Sequence, residues 1–308
     1  MISALSGLVD NRGDQEWRQW RLRAVIAWLL GVGLNSSIVA IYFREWTNNQ
    51  QFNVCGKIIF SMALLNDVLQ CFTTIHSFMF HMGISWEFNS AILATTCICY
   101  TSLIYGNFWQ SAWLSVYYCL KLINYSNWFF LQVKKALSSS ISQILVVSLV
   151  GIVFMNLPLI WLLQIERLQN GTNILFNDTQ YLYFSITFGC GLPLLVSFVC
   201  IGLSVTSLLR HVWRLHQRSS RFSSSPQIQG HLRAARTMIL QLSLNAIHFL
   251  AVNRLFSSSF SLGIVLKIIL WTFFMCFTSL QAMTSILGNP KLHHRFFYLI
   301  VSSSKLDE

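Results

Sequence analysis

The chain has 308 residues, of which 54% are hydrophobic and only 10% charged, with a net charge of +11 and a mean hydropathy of +0.55. That is more apolar surface than one soluble core hides, so lipid must be its solvent. The apolar runs are also too long for a membrane barrel, whose segments alternate in hydrophobicity over about 10 residues.

A helix rising about 1.5 Å per residue needs about 20 mostly apolar residues to cross hydrocarbon, and seven stretches reach that length. In chain order they are Ala24 to Phe43, Lys57 to Phe80, Ala91 to Leu120, Ile141 to Gln164, Tyr181 to Leu209, Thr237 to Ser257 and Leu262 to Leu287. The residues before Ala24 lack an apolar core and a small-residue cleavage site, so the first span serves as its own insertion signal. The sixth span is the weakest, being interrupted by Gln241, Asn245 and His248. All eight cysteines fall within or beside spans and none lies between Ile165 and Gln180, so they read as small buried hydrophobes. The expected fold is an all-α membrane protein, a seven-transmembrane helix bundle forming a single domain over 1–308. It comprises an extracellular N-terminus (1–23), the bundle (24–287) and a cytoplasmic tail (288–308). Within the tail, Pro290 to Val301 mixes Leu292, Phe296, Phe297, Leu299 and Ile300 with His293, His294 and Arg295, which suits a short helix lying on the membrane surface. Adjacent histidines point about 100° apart on a helix, and no further ligands accompany them, so no metal is expected.

Orientation follows from Lys and Arg in the short loops. With the N-terminus outside, fourteen of the twenty-one lie on the inner side, although Arg18, Arg21 and Arg23 stand against the rule. The sequons at Asn170 and Asn177 favour the same topology, because both lie in the loop after the fourth span, which it places outside. The expected location is the plasma membrane, crossed several times.

Polar side chains in mid-membrane are costly unless they turn inward and find partners, which singles out Asn35, Asn66, Asp67, Asn107 and Gln281. Two readings of Asp67 stand: a packing network holding the first, second, third and seventh spans together, or a protonation or cation site biasing two states. Residues three and four apart share a helix face, so Tyr100, Ile104, Asn107, Ser111 and Ser115 form one stripe, and Trp271, Phe274, Thr278 and Gln281 another. Both stripes should face the interior. At the inner ends, Lys134, Lys135, Arg210, His211, Arg214, Arg233 and Arg236 gather into a basic rim suited to anionic lipid and to an acidic partner.

Several local patterns together resemble the type 2 (bitter) taste receptors, a family of G-protein-coupled receptors. The longest is the run from Trp109 to Asn127, with Leu114-Ser-Val-Tyr-Tyr-Cys-Leu-Lys121 at its centre, followed by Phe130-Leu-Gln-Val-Lys-Lys135. Others are Gly31-Val-Gly-Leu-Asn35 with Glu45-Trp46, Pro193 with Ser207-Leu-Leu-Arg-His211, His231-Leu-Arg-Ala-Ala-Arg-Thr237, and Ile286-Leu-Gly-Asn-Pro-Lys-Leu292. The resemblance runs from about Gly31 to Leu292. Departures mark a divergent member: Ala27 replaces a Glu, Asn66-Asp67 a Ser-Arg pair, Gln281 a His, and His248 stands where a Tyr is usual before Phe-Leu.

The resemblance implies a receptor that binds small, mostly apolar molecules from outside and couples inside to heterotrimeric G proteins of the gustducin and inhibitory type. It places Tyr100, Ile104 and Trp271 in the ligand pocket, with Asn107 and Phe274 on the same stripes, and makes Tyr118 and Lys121 part of the G-protein face beside the basic rim. The competing reading, that Tyr100 and Trp271 merely pack helix on helix, stays open. No enzyme, cofactor or nucleic-acid partner is implied, since His-Glu-x-x-His, Gly-x-Ser-x-Gly and paired intramembrane acids are all missing. A small transporter would show internal repeats or broken helices. Another seven-helix chemosensory receptor, vomeronasal or orphan class A, is the nearest alternative. Against a typical class A member stand Val116-Tyr117-Tyr118 in place of Asp-Arg-Tyr and the missing outer cysteine pair.

Overall fold

The structure, a computed structural model, describes residues 13–50, 52–81, 90–122, 128–168, 171–176, 179–218, 226–256 and 264–304. Its long helices are α1 (Gly13–Thr47), α2 (Val54–His81), α3 (Ser90–Leu122) and α4 (Trp128–Asn156). A single-turn α5 (Leu159–Leu162) and strands β1 (Leu163–Leu168) and β2 (Gly171–Phe176) follow. Then come α6 (Thr179–Ile186), a π-helical turn (Thr187–Gly191), α7 (Leu192–Arg218), α8 (Pro226–Phe256), α9 (Ile264–Gly288) and α10 (Pro290–Ser304). Because α6, the π turn and α7 run on as one rod, the described residues form seven long helical rods and a short closing helix.

Five of these rods are long and apolar enough to cross a membrane: Val25–Thr47, Val54–Ile75, Ser139–Leu162, Gln180–Arg210 and Ala235–Arg254. In α9 the apolar stretch Thr272–Gly288 is shorter. α3 is the hub of the bundle, packed on α2, α4, α7 and α8, so its interior-facing Asn107, Gln110, Ser111 and Ser115 are shielded by protein. A helix that faces protein on most sides does not need a lipid-like composition.

The ends of the elements follow local chemistry. Asn49 closes α1 in the left-handed region at φ 55, where the amides of Asn48, Asn49 and Gln50 return to carbonyls of the last turn. Asn53 Oδ1 accepts the Gly56 amide at 2.7 Å and caps α2. Asn289 does the same for α10, accepting the amides of Lys291 and Leu292 at 3.2 and 3.4 Å, with Pro290 in the first helical position.

Three boundaries differ from the sequence reading. The first span, Val25–Thr47, starts one residue from the expected Ala24, but the helix that carries it, α1, begins earlier at Gly13, because charge stops membrane crossing without stopping a helix. The fourth span does not reach Gln164: α4 ends at Asn156, Leu157 and Pro158 make a turn, and Gln164 lies in β1. Proline disfavours helical geometry in the residue before it and supplies no amide of its own. The loop after the fourth span carries an antiparallel hairpin in the register Leu163↔Phe176 to Leu168↔Gly171, which the sequence reading did not give. The fifth span contains the π turn, in which the Leu192 amide reaches Thr187 O just before Pro193, whose missing N–H already interrupts the ladder.

Among the described residues two large apolar cores stack along the bundle, with a smaller third around Ala94, Ile98 and Leu159. One, near α10, joins Ile38, Ile41, Ile58, Met62, Ile141 and Ile286. The other joins Leu69, Ile104, Tyr105, Phe108, Val252 and Phe274 toward the opposite end.

Candidate functional site

The interior changes character along its length. Toward the end away from α10, aromatic rings dominate. Tyr100 of α3 stacks on Phe274 of α9, with centroids 6.2 Å apart and planes 16° apart. Its hydroxyl lies 2.9 Å from Thr73 Oγ1 on α2. Thr73's own proton goes to Leu69 O at 2.7 Å, so the phenol is the donor. His248 of α8 continues the stack, 5.4 Å from Phe274, 3.8 Å from Phe277 and 5.6 Å from Phe108. The imidazole is almost fully buried and its Nδ1 meets no hydrogen-bond partner, so the ring is held by its faces. Ile104 is buried in the same core. Asn107 is buried too, but its amide is turned onto its own helix, donating to Leu103 O at 3.2 Å while Oδ1 is left without a partner. The backbone of Trp271 lies on α9, and its side chain lies outside the described ones.

Toward α10 the rings give way to amides and hydroxyls. Asn66 Nδ2 donates to Asn35 Oδ1 at 3.1 Å and to Gln281 Oε1 at 2.9 Å, tying α1, α2 and α9 together. Asn35 Nδ2 also reaches Gly31 O at 2.9 Å and Thr278 O at 3.4 Å. Gln70 donates to Thr278 Oγ1 at 2.7 Å, Asn245 to Ser111 Oγ, and Thr284 to Gln241 Oε1 at 2.8 Å. Apart from the Asn35–Gly31 bond within α1, each bond links two helices, and in lipid such bonds are worth about 0.6 to 2 kcal/mol each.

Asp67 stands apart from this network, contrary to the first of its two sequence readings. One residue is about 100° of rotation, so with Asn66 inward Asp67 turns toward α1, where Ser36 Oγ donates to it at 3.1 Å. It is half-buried and contacts neither Asn35 nor Gln281 by hydrogen bond; α3 contributes nothing to the Asn35–Asn66–Gln281 triad.

Sequence reasoning passed over His248, Gln241 and Asn245, reading them only as weakening a span. Their spacing of four and three residues puts them on one face of α8, and that was the available signal. Thr73 and Gln70, a turn apart on α2, escaped for the same reason.

At the α10 end, Tyr118 OH lies 3.3 Å from Cys55 Sγ, and Lys121 is exposed with its ammonium 5.9 Å from the Tyr117 ring. Lys134, Lys135, Arg210, Arg233 and Arg236 are exposed. His211 and Arg214 lie on α7 with side chains outside the described ones, and the sequons Asn170 and Asn177 lie outside the described residues. α10 is clamped to α1 through Glu45, whose buried carboxylate pairs with Arg295 and with Lys291 at 3.4 Å. Arg295 also donates to Gln50 Oε1 at 3.3 Å, and Asn289 to Tyr42 OH at 3.4 Å.

The interior thus runs from a packed aromatic stack at one end, through a polar ladder, to exposed basic side chains at the other. Residues 21–304 match the family model described as Taste receptor protein (TAS2R). Among curated proteins, the chain is 24% identical to rat taste receptor type 2 member 140 over 90% of its own length and 91% of the relative's. It is 28% identical to human putative taste receptor type 2 member 33 over 74% of its length and 75% of the relative's, and 26% identical to mouse taste receptor type 2 member 41 over 75% and 78%. The family match thus covers both the aromatic stack and the polar ladder, and the chain belongs to the type 2 taste receptors, the bitter taste G-protein-coupled receptors.

Proposed function

We propose that all seven rods cross the plasma membrane, with the N-terminus outside and α10 on the cytosolic surface. Small, mostly apolar molecules enter from the extracellular side and bind against Tyr100, Ile104 and Phe274, with Trp271 one turn further out on the same face of α9 and Asn107 deeper on α3. The cytosolic ends, with Tyr118, Lys121, Lys134, Lys135, Arg210, His211, Arg214, Arg233 and Arg236, receive a heterotrimeric G protein of the gustducin or inhibitory type. Function is then signal transduction without chemistry: ligand shifts the population of a two-state bundle.

The observation that carries this reading is the unbroken stack from Tyr100 through Phe274 to His248 and Phe277, which joins α3, α9 and α8. A ligand that displaces or tilts Tyr100 changes what Phe274 packs on. The disturbance passes through His248 to the side of α8 that bears Asn245 and Gln241, both bonded to other helices. Such a lining offers large flat surfaces and few directional hydrogen bonds, which favours flat or hydrophobic ligands.

The test is a set of dose–response curves on full-length receptor at matched surface density. Tyr100→Ala and Phe274→Ala should raise the midpoint for an agonist by about tenfold or more, on the order of 1.4 kcal/mol each, whereas Ile269→Ala, on the exposed side of α9, leaves it in place. Equal midpoints in all three variants would mean that the rings only pack helix against helix.

A further inference from the structure

A cavity of about 440 Å³ lies away from the interior stack, on the flank of the bundle where α3, α4 and the π turn meet. One wall is aromatic: Trp109 and Trp113 of α3 with Phe188 of the π turn, centroids 6.5 Å and 6.0 Å apart. The facing wall is α4, with Ile144, Val147 and Gly151. The groove opens sideways, since Val147 is 69% exposed and Phe188 43%. α4 is among the helices apolar enough to span a membrane, and the neighbouring Val146, Val150 and Phe154 are exposed as well, so the opening faces hydrocarbon.

Polarity on the α4 wall is one-ended. Ser148, midway along, donates its proton to Leu145 O at 2.8 Å, while Ser140 and the exposed Gln143 sit together at the end nearer α10. On the aromatic wall the indole N–H groups of Trp109 and Trp113 are buried without a hydrogen-bond partner, two further donors open to a bound molecule. Gly151 lines the end farther from α10, where a Cβ built on it meets nothing within 4 Å, so a larger side chain there has room to intrude on the groove.

We propose that this groove is a sterol-binding site entered from the bilayer. Lipid chains are as apolar as the groove, so burial alone selects nothing; shape and entropy decide. A rigid fused-ring body lies flat on the indoles and loses almost no conformational freedom, whereas an acyl chain must freeze several rotatable bonds to fill the same space. A single hydroxyl on such a body meets Gln143 and Ser140, where a hydrogen bond gains strength from the low dielectric. The volume lies within the roughly 300–1,000 Å³ typical of small-molecule sites.

The test places full-length receptor in phosphatidylcholine nanodiscs containing a diazirine-bearing cholesterol, followed by irradiation and peptide mass spectrometry. Label is expected between Ser140 and Gly151 on α4 or between Trp109 and Trp113 on α3, and excess unlabelled cholesterol should lower it. Gly151→Phe, which fills the groove, should reduce that label by about tenfold, an order expected when a site is blocked sterically. Gly202→Phe is the matched control, because its Cβ also meets nothing within 4 Å but lies on the exposed side of α7, and it should label like wild type. Gly151→Leu replaces the Phe variant if the latter is not inserted. Gln143→Leu should weaken label from the free sterol and leave that from its methyl ether unchanged. Groove label that survives both Gly151 substitution and competition, or equal groove label from a diazirine fatty acid, overturns the proposal.

Discussion

Asn66 uses both amide hydrogens across helix boundaries, one on Asn35 and one on Gln281, and so joins α1, α2 and α9 at one point of the polar ladder. Removing it leaves two buried carbonyl oxygens without donors, which costs about 1–3 kcal/mol by the usual penalty for orphaned groups. Asn66→Leu should therefore lower the thermal midpoint of detergent-solubilised receptor. Combined with Gln281→Leu it should show a coupling of about 1 kcal/mol, because each single change already breaks their shared bond. Strict additivity would remove Asn66 from the network. At this scale the sequence was informative about direction and poor about partners. The cost of burying polar groups in lipid turned Asn35, Asn66 and Gln281 inward, but it says nothing about a residue one step along. Asp67 was therefore grouped with them, although helix rotation carries it to Ser36. The same rule applied to α8 would have found Gln241, Asn245 and His248; reading them as defects of a span hid their common face.

Elements carry the departures from an idealised bundle, and two of them are testable. At the π turn Gly189 lies directly against the Tyr105 ring, so closely that any Cβ there would collide with it. Gly189→Leu should abolish surface expression, whereas Gly202→Leu, in open space on α7, should be tolerated; normal expression of the first would show that the turn yields. α10 is held by its Asn289 cap and by the buried Glu45 carboxylate paired with Arg295 and Lys291. Glu45→Ala leaves those cations without their anion and should raise hydrogen exchange across Pro290–Ser304, with little change in α3. Unchanged exchange would mean that the apolar face alone seats the helix. Apolar runs made the long rods legible from sequence, since the lipid requirement acts on every residue of a span. They did not reveal the π turn or the hairpin, which depend on how Pro193 and Pro158 break a ladder and on which segment then pairs with which.

For the whole molecule, the bundle and its family come from features spread over nearly the full chain, which is why both were readable before any coordinates. Topology rests on fewer residues. Glycan on Asn170 or Asn177 is expected, so glycosidase should shift the gel mobility of wild type and leave the double Asn→Gln variant unmoved; identical mobility throughout would argue for the reverse orientation. The exposed Lys121 and Arg233 lie at the α10 end, and Lys121→Ala or Arg233→Ala should reduce signalling severalfold at equal surface density, as expected when interface charges are truncated. At the proposed ligand site the sequence says least about ligand identity, because rings there would select for breadth and flatness and few polar groups are present to specify more.

If occupancy of the aromatic end drives nucleotide exchange on a G protein at the α10 end, both ends can be followed in one assay: full-length receptor in nanodiscs, mixed with a gustducin-type heterotrimer and titrated with a panel of flat, apolar bitter compounds while guanine-nucleotide uptake is recorded. At least one compound should accelerate uptake in a saturable way, and Tyr100→Ala should move its midpoint upward without altering basal exchange. Acceleration that Tyr100→Ala and Phe274→Ala leave untouched, or no acceleration by any compound from receptor shown to be folded, would contradict that coupling.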